Sequence, residues 1–313
     1  MHLPSMNVLI QVIVVGLLTG GVYALLATGL TLIFGVMRVI NIAHGAFLIF
    51  SAYISYWMFT AFGVDPFLSI FVSVPILFFF GIIFQRHVLS KVAGDPGLGV
   101  LLTFALALSL EGLMGSLWES TGRSVRTSYT SKVLPLKIPE IKMALPFDKV
   151  FELSEINLRL PYVRIAGLVA AVIALTGLFL ILKYSNVGRA IRATIQNRNA
   201  AQLVGVNVER IQAITFGFGL ATVAGGGALF SLIWTFNSGS HEEWISKMLS
   251  VIVLGGMGSL PGAFIAALIM GVVEAVSAVV MTSYISPIVF YLILFITLIF
   301  RPQGLMGVRI RKG

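Results

Sequence analysis

Long apolar runs separated by short polar stretches recur along the chain from residue 8 to residue 300. A helix needs roughly 20 apolar residues to cross the hydrocarbon core of a bilayer. On that measure the pattern predicts spans near 8–34, 46–61, 67–85, 99–118, 164–183, 211–234, 262–281 and 284–300. The run at 248–258 is too short for a comfortable crossing and reads as a re-entrant half-helix or a broken one. The expectation is a single all-α polytopic membrane domain over 1–313, with about eight or nine transmembrane helices. The runs do not alternate apolar with polar residues, which excludes a membrane β-barrel.

Two polar interruptions carry the strongest local signal, "GVMRVINIAHGAF" ending at Phe47 and "GGMGSLPGAF" from Gly255 to Phe264. Hydrocarbon offers no partner to a freed backbone N–H or C=O, so non-helical chain at membrane depth is covered by protein or faces a water-filled cavity. Asn41 and His44 bring donors and acceptors to the first break, and Gly45 permits close backbone approach. A helix starting near Gly45 would aim its positive end at the break and favour a carboxylate in transit. His44 reads equally well as a packing residue bonded to a carbonyl. Gly255, Gly256, Gly258 and Pro261 cannot sustain an unbroken helix and mark a hinge or half-helix end on a solute pathway. Gly225–Gly227 reads as simple close packing of helices. "HGAF" at 44–47 and "PGAF" at 261–264 hint at an internal repeat, yet both segments enter the membrane in the same direction, which an inverted repeat forbids.

Glu111 and Glu274 lie inside apolar runs, and a carboxylate in lipid is costly, so each is expected to face protein or water, or to be protonated. Glu111 would bind an amino group or brace a subunit interface.

The inner loop "KYSNVGRAIRATIQNRNAAQLVGVNVERI" predicts a helix over 188–204, capped by Ser185 or Asn186 and stopped by Gly205. Ile191, Ile195, Ala200, Leu203 and Val204 form its apolar stripe, with Arg189, Arg192, Gln196 and Asn199 largely off it. Such a helix either lies on the lipid headgroups or fits a groove on a cytoplasmic partner.

Composition agrees with a membrane protein: 58% hydrophobic residues, 11% charged, and a mean hydropathy of +1.00. The net charge of +9 sits mainly in loops, which marks orientation and not nucleic-acid binding. Arg38, Arg86, Lys91, the stretch from Lys183 to Arg210, and Arg301, Arg309, Arg311 and Lys312 all fall on one side, expected to be cytoplasmic, with the N-terminus outside. The segment 119–163 then lies outside; its bases are mixed with five acids between Glu119 and Arg159, and its prolines between short apolar runs predict extended structure. It reads as a docking surface or as a tolerated insertion. No basic leader precedes the first run, so that run is expected to stay in the bilayer. The absence of cysteine rules out disulfides and thiolate chemistry, four scattered histidines suggest no metal site, and no cofactor is expected. No Walker A pattern occurs. A membrane enzyme would need clustered His, Asp or Glu, and only isolated ones are visible. A proton-coupled secondary transporter using Glu111 or Glu274 is the competing class.

Three stretches together carry a family resemblance: "GLLTGGVYALLATGLTLIFGVMRVINIAHGAF", "YSNVGRAIRATIQNRNAAQLVGVNVERI" and "VIVLGGMGSLPGAFIAALIMGVVEA". The chain resembles the LivH-type permease subunits of bacterial ABC importers for branched-chain amino acids. The resemblance implies the ABC importer permease fold in the bacterial inner membrane and transport of leucine, isoleucine and valine without enzymatic activity of its own. It also implies four kinds of neighbour: a second related permease, two ATP-binding cassette subunits, a periplasmic solute-binding protein and membrane lipid. The loop 184–210 becomes the coupling element, with Gly188, Arg189, Arg192, Asn197, Ala200 and Gly205 as its residues. Ala46 stands where the family often has an acidic residue after the His-Gly pair, and related importers carry urea or short amides, so the solute stays open.

Overall fold

A computed structural model describes residues 5–92, 94–139, 141–145, 149–153, 156–281 and 285–307. The chain enters through α1 (Met6–Met37), turns back through α2 (His44–Phe62), and continues as α3 (Pro66–His87) and α4 (Pro96–Trp118). Four strands follow, β1 (Val133–Ile138), β2 (Ile141–Leu145), β3 (Lys149–Leu153) and β4 (Ile156–Pro161). Then come α5 (Tyr162–Tyr184), the short helices α6 (Asn186–Gln196) and α7 (Arg198–Leu203), and α8 (Val208–Ile233). The chain closes with α9 (His241–Gly255), α10 (Leu260–Val280) and α11 (Ser286–Phe300).

Seven of the described helices are long and apolar enough to cross a membrane, and α11 is a shorter apolar one. Eight predicted spans thus match observed helices to within a few residues; position 284 and the bases at 309, 311 and 312 lie outside the described residues. Residues 248–255 of the short run belong to α9, which begins seven residues earlier, at His241, and 256–258 to the break after it. Its first turn, "HEEW", is too polar to read as membrane helix, yet the acids of a first turn complement the helix dipole.

Within the segment 119–163 the described residues include the four strands β1 to β4, the extended structure expected there. β1 pairs antiparallel with β4, from Val133 against Pro161 to Ile138 against Ile156, and β2 pairs with β3. The Arg159 amide donates to Gln11 Oε1 at 2.8 Å, which fixes this face to the start of α1. Tyr129 donates to the Asp65 carboxylate at 2.7 Å, and burial followed by that bond pushes its phenol up. The opposite end of the molecule gathers Met37, the helices α6 and α7, and the segment after α11.

Helix packing is built on small residues. A Cβ on Gly20 would lie 2.7 Å from the Leu268 backbone, so α1 and α10 meet backbone to backbone; Gly217 against Phe78 does the same for α8 and α3. Gly227 approaches Ser51 in the same way. α1 therefore packs chiefly on α10, and α8 chiefly on α3. α1 and α8 run antiparallel, and each is followed by a break and then a helix, α2 or α9, that turns back. α2 and α9 run oppositely, whereas α2 and α10, the helices of "HGAF" and "PGAF", run the same way.

Candidate functional site: three breaks around a half-helix

The first break, 38–43, climbs back into the membrane. α1 ends in the left-handed Arg38 (φ 58°), whose amide reaches the Phe34 carbonyl. The chain then runs without helix to Asn41 and turns through Ile42 and Ala43 into His44, whose Nε2 lies 3.2 Å from the Leu26 carbonyl. Leu26 is about 16 Å from the inner end of α1 at the rise of a helix, so α2 starts near mid-depth. Thr103 of α4 supports the climbing backbone: its hydroxyl accepts from the Ile42 amide at 3.2 Å while donating to the Val100 carbonyl of its own helix at 2.9 Å, with the Ile40 carbonyl 3.4 Å away. Since a carbonyl can only accept, His44 carries its proton on Nε2, and Nδ1 is left as a buried acceptor without a protein partner. The Asn41 side chain is likewise fully buried, with neither amide atom bonded. Gly45 is required: a Cβ there would meet the His241 carbonyl at 2.5 Å.

A third break that sequence reasoning missed, 234–240, leads into α9. Arg123 and Phe236 exchange both backbone bonds, at 2.7 and 2.9 Å, and Asn237 and Ser240 cap each other reciprocally. The signal for it was the run "NSGSH", of the same kind as "NIAH" in the first break. α2 and α9 thus begin side by side and run to opposite ends, with α9 about 22 Å long.

The second break closes α9. Gly256 (φ +100°) and Gly258 (φ +87°) take backbone forms that an L side chain resists, and Pro261 sits in the first turn of α10. The terminal carbonyls of α9 are satisfied by the tail, Leu305 N to Leu254 O at 2.7 Å and Met306 N to Gly255 O at 3.0 Å. Gly255 packs against Gly262, and Gly258 against Gly35. A cavity of about 250 Å³ lies here, lined by Gly258 and Pro261 together with Ile191, Arg192 and Ile195 of the inner loop. The structure therefore does not gather the expected pathway residues into one spot. Asn41, His44 and Gly45 belong to the break that abuts the start of α9 through Gly45; Gly255, Gly256, Gly258 and Pro261 lie at its end.

The intramembrane carboxylates are both paired. Glu111 Oε2 lies 3.0 Å from His241 Nε2. Glu274 accepts from Lys247 Nζ at 2.9 Å and from the Tyr23 hydroxyl, and Lys247 also meets Glu243 at 2.8 Å. Lys247, Tyr23 and His241 were not singled out from sequence. The hint lay in Glu243 and Lys247, spaced one helical turn apart on an otherwise apolar helix. Glu111, His241 and Glu242 also place one ligating atom each within 4.8 Å of one another, a cluster the scattered histidines did not suggest.

The inner loop differs from the single helix expected. Ser185 caps α6 by accepting from the Gly188 amide at 2.9 Å, but Asn197 interrupts the helix and caps α7, accepting from the Ala200 amide at 3.0 Å. Asparagine competes with the backbone and so ends one helix while starting the next. Gly205 (φ +85°) terminates α7 as expected. The apolar stripe is consequently split. Ile191 is buried among Leu182, Ile211 and Val36, whereas Leu203 and Val204 are 89% and 78% exposed. Arg189 bonds Asn186, Arg192 bonds the Leu182 carbonyl, and both, with Ala200, are exposed on this chain.

Residues 12–300 match the family described as the branched-chain amino acid transport system permease component. The chain belongs to that family. Relatives of this permease include the high-affinity branched-chain amino acid transport system permease protein BraD of Pseudomonas aeruginosa, 30% identical over 97% of this chain and 98% of the relative. LivH of Salmonella typhimurium is 26% identical, with 93% of each chain covered. The probable LivH of Methanocaldococcus jannaschii is 26% identical over 92% of this chain and 89% of its own length. No solved structure gives a significant match. The permease is a multi-pass membrane transport component, not an enzyme.

Proposed function

We propose that this permease forms half of the translocation unit of an ATP-driven importer in the bacterial inner membrane, carrying leucine, isoleucine and valine inward. A second related permease would complete the unit, two ATP-binding cassette subunits would drive it, and a periplasmic binding protein would deliver the solute to the 119–163 face. The observation that carries this reading is α9, a half-helix broken at both ends. Its start abuts Gly45 and the first break, and its end shares a cavity with Arg192 of the inner loop. A pull on 184–210 has a short mechanical route to mid-membrane.

Two features support a solute path along α9. The unbonded Asn41 amide and His44 Nδ1 are polar atoms that water or solute would satisfy in another conformation. Glu242 and Glu243 are exposed on this chain at span depth, where a carboxylate facing lipid is costly, so that face meets water or the second permease. The Leu203–Val204 tip fits the helix-in-groove mode of docking to an ATPase subunit. A proton-coupled mechanism is less well supported, because Glu274 is engaged by Lys247 and Tyr23.

The test is uptake of labelled leucine into proteoliposomes holding the whole complex. Uptake should require ATP and should fall in Asn41→Leu and His44→Leu without loss of the bound ATPase. Uptake driven by a pH gradient with this chain alone would overturn the proposal, and competition by urea but not leucine would reassign the solute.

A further inference from the structure

A cleft of about 800 Å³ opens at the inner end of the molecule between α3, α5 and α8, away from α9 and its breaks. Its polar end carries Gln85, Arg86 and Arg210 together with Glu209, which leaves one net positive charge. Gln85 is fully buried, and neither its amide nitrogen nor its amide oxygen has a partner in this chain. Leaving such a group unsatisfied is costly, so a buried amide of this kind calls for a ligand or ordered water. The guanidinium groups of Arg86 and Arg210 have no carboxylate partner among the described residues.

The other end of the cleft is apolar, with Phe78, Ile82, Ile181 and Phe218. Ile181 and Phe218 also line a second hollow of about 480 Å³ that continues toward mid-membrane past Val74, Ala174, Gly177 and Gly225. The two hollows share Ile181 and Phe218, and α8 residues line both. From Arg210 to Gly225 the groove runs about 22 Å at the rise of a helix. A headgroup and one leaflet of hydrocarbon occupy roughly 20–22 Å.

We infer that this groove is a binding site for an anionic phospholipid. Its phosphate would sit between Arg86 and Arg210, its glycerol or ester oxygens would meet Gln85, and an acyl chain would lie along Phe218 and Gly177. Three observations favour a lipid over a free anion or a protein. The net charge is positive and is confined to the end expected at the cytoplasmic surface, where anionic headgroups concentrate. The rest of the slot is apolar and of leaflet length. A soluble anion would use only the polar end.

The test uses the full-length protein extracted with its native partners and reconstituted in nanodiscs of phosphatidylcholine. Trace phosphatidylglycerol bearing a photoreactive group on its acyl chain is added, and labelled peptides are mapped by mass spectrometry. Label should fall on 74–86 and 174–225 and be displaced by phosphatidylglycerol but not by phosphatidylcholine or soluble glycerol phosphate. Arg86→Gln and Arg210→Gln should each weaken it about fivefold. Gly177→Leu is a second probe that leaves the fold intact, since a Cβ there meets nothing within 4 Å; it should block labelling by filling the slot. Equal displacement by phosphatidylcholine, full displacement by glycerol phosphate, or labelling unchanged in all three variants would overturn the assignment. So would a groove that takes no label because a partner subunit fills it.

Discussion

At the scale of single residues, the energetic risk of this fold is concentrated in a few polar groups held inside it. Lys247 is nearly buried, lies 4.7 Å over the Trp244 ring and is held by Glu274 and Glu243. Removing one member of a buried pair strands the other, at a cost of about 3–5 kcal/mol. Lys247→Met should therefore lower the thermal stability of the purified protein sharply, and adding Glu274→Gln should restore much of the loss. An equal or larger loss in the double variant would show that the pair is not what holds α9 to α10. These groups were only half legible in the sequence. Glu274 stood out as an acid in an apolar run, but Lys247 did so only once α9 was known to be a membrane helix. Asn41, His44 and Gly45 were recognisable as a break; that Gly45 abuts the His241 carbonyl depends on a contact nearly two hundred residues away.

At the scale of elements, the long helices were readable because apolar length alone defines them, and the extended 119–163 segment because prolines forbid helix. What sequence could not supply was the fate of short amphipathic pieces. The stripe of 188–204 is continuous on a helical wheel, yet Asn197 divides it into a half that belongs to this protein's core and a half that projects. The projecting tip gives a clean test. Leu203→Asp changes a side chain with almost no contacts in this chain, so folding should be unaffected, while co-purification of the ATPase subunits falls at least tenfold, a loss of about 1.4 kcal/mol. Retained ATPase with normal uptake would remove α7 from the coupling route. Gly205→Ala should act differently, straining the left-handed turn by about 1–2 kcal/mol and loosening the tip without removing its apolar surface. Partial loss of uptake that a lower assay temperature restores is the expected result.

At the scale of the whole molecule, α2 and the half-helix α9 begin side by side and run oppositely, and the basic residues orient the two ends of the bundle. The chain has no cysteine, so a single introduced thiol reports position without background. Lys132→Cys should react with a membrane-impermeant maleimide on intact cells, and Gln202→Cys only after permeabilisation; the reverse pattern would invert the topology. The same freedom from thiols reaches the central claim, that α9 lines an aqueous path moved by ATP. The decisive measurement is the rate at which a small impermeant thiosulfonate modifies Glu243→Cys in the reconstituted complex, with and without ATP. Reaction from water at span depth, at a rate that changes with nucleotide, is the expected result. Modification only by lipid-soluble reagents, at a rate indifferent to ATP, would contradict it.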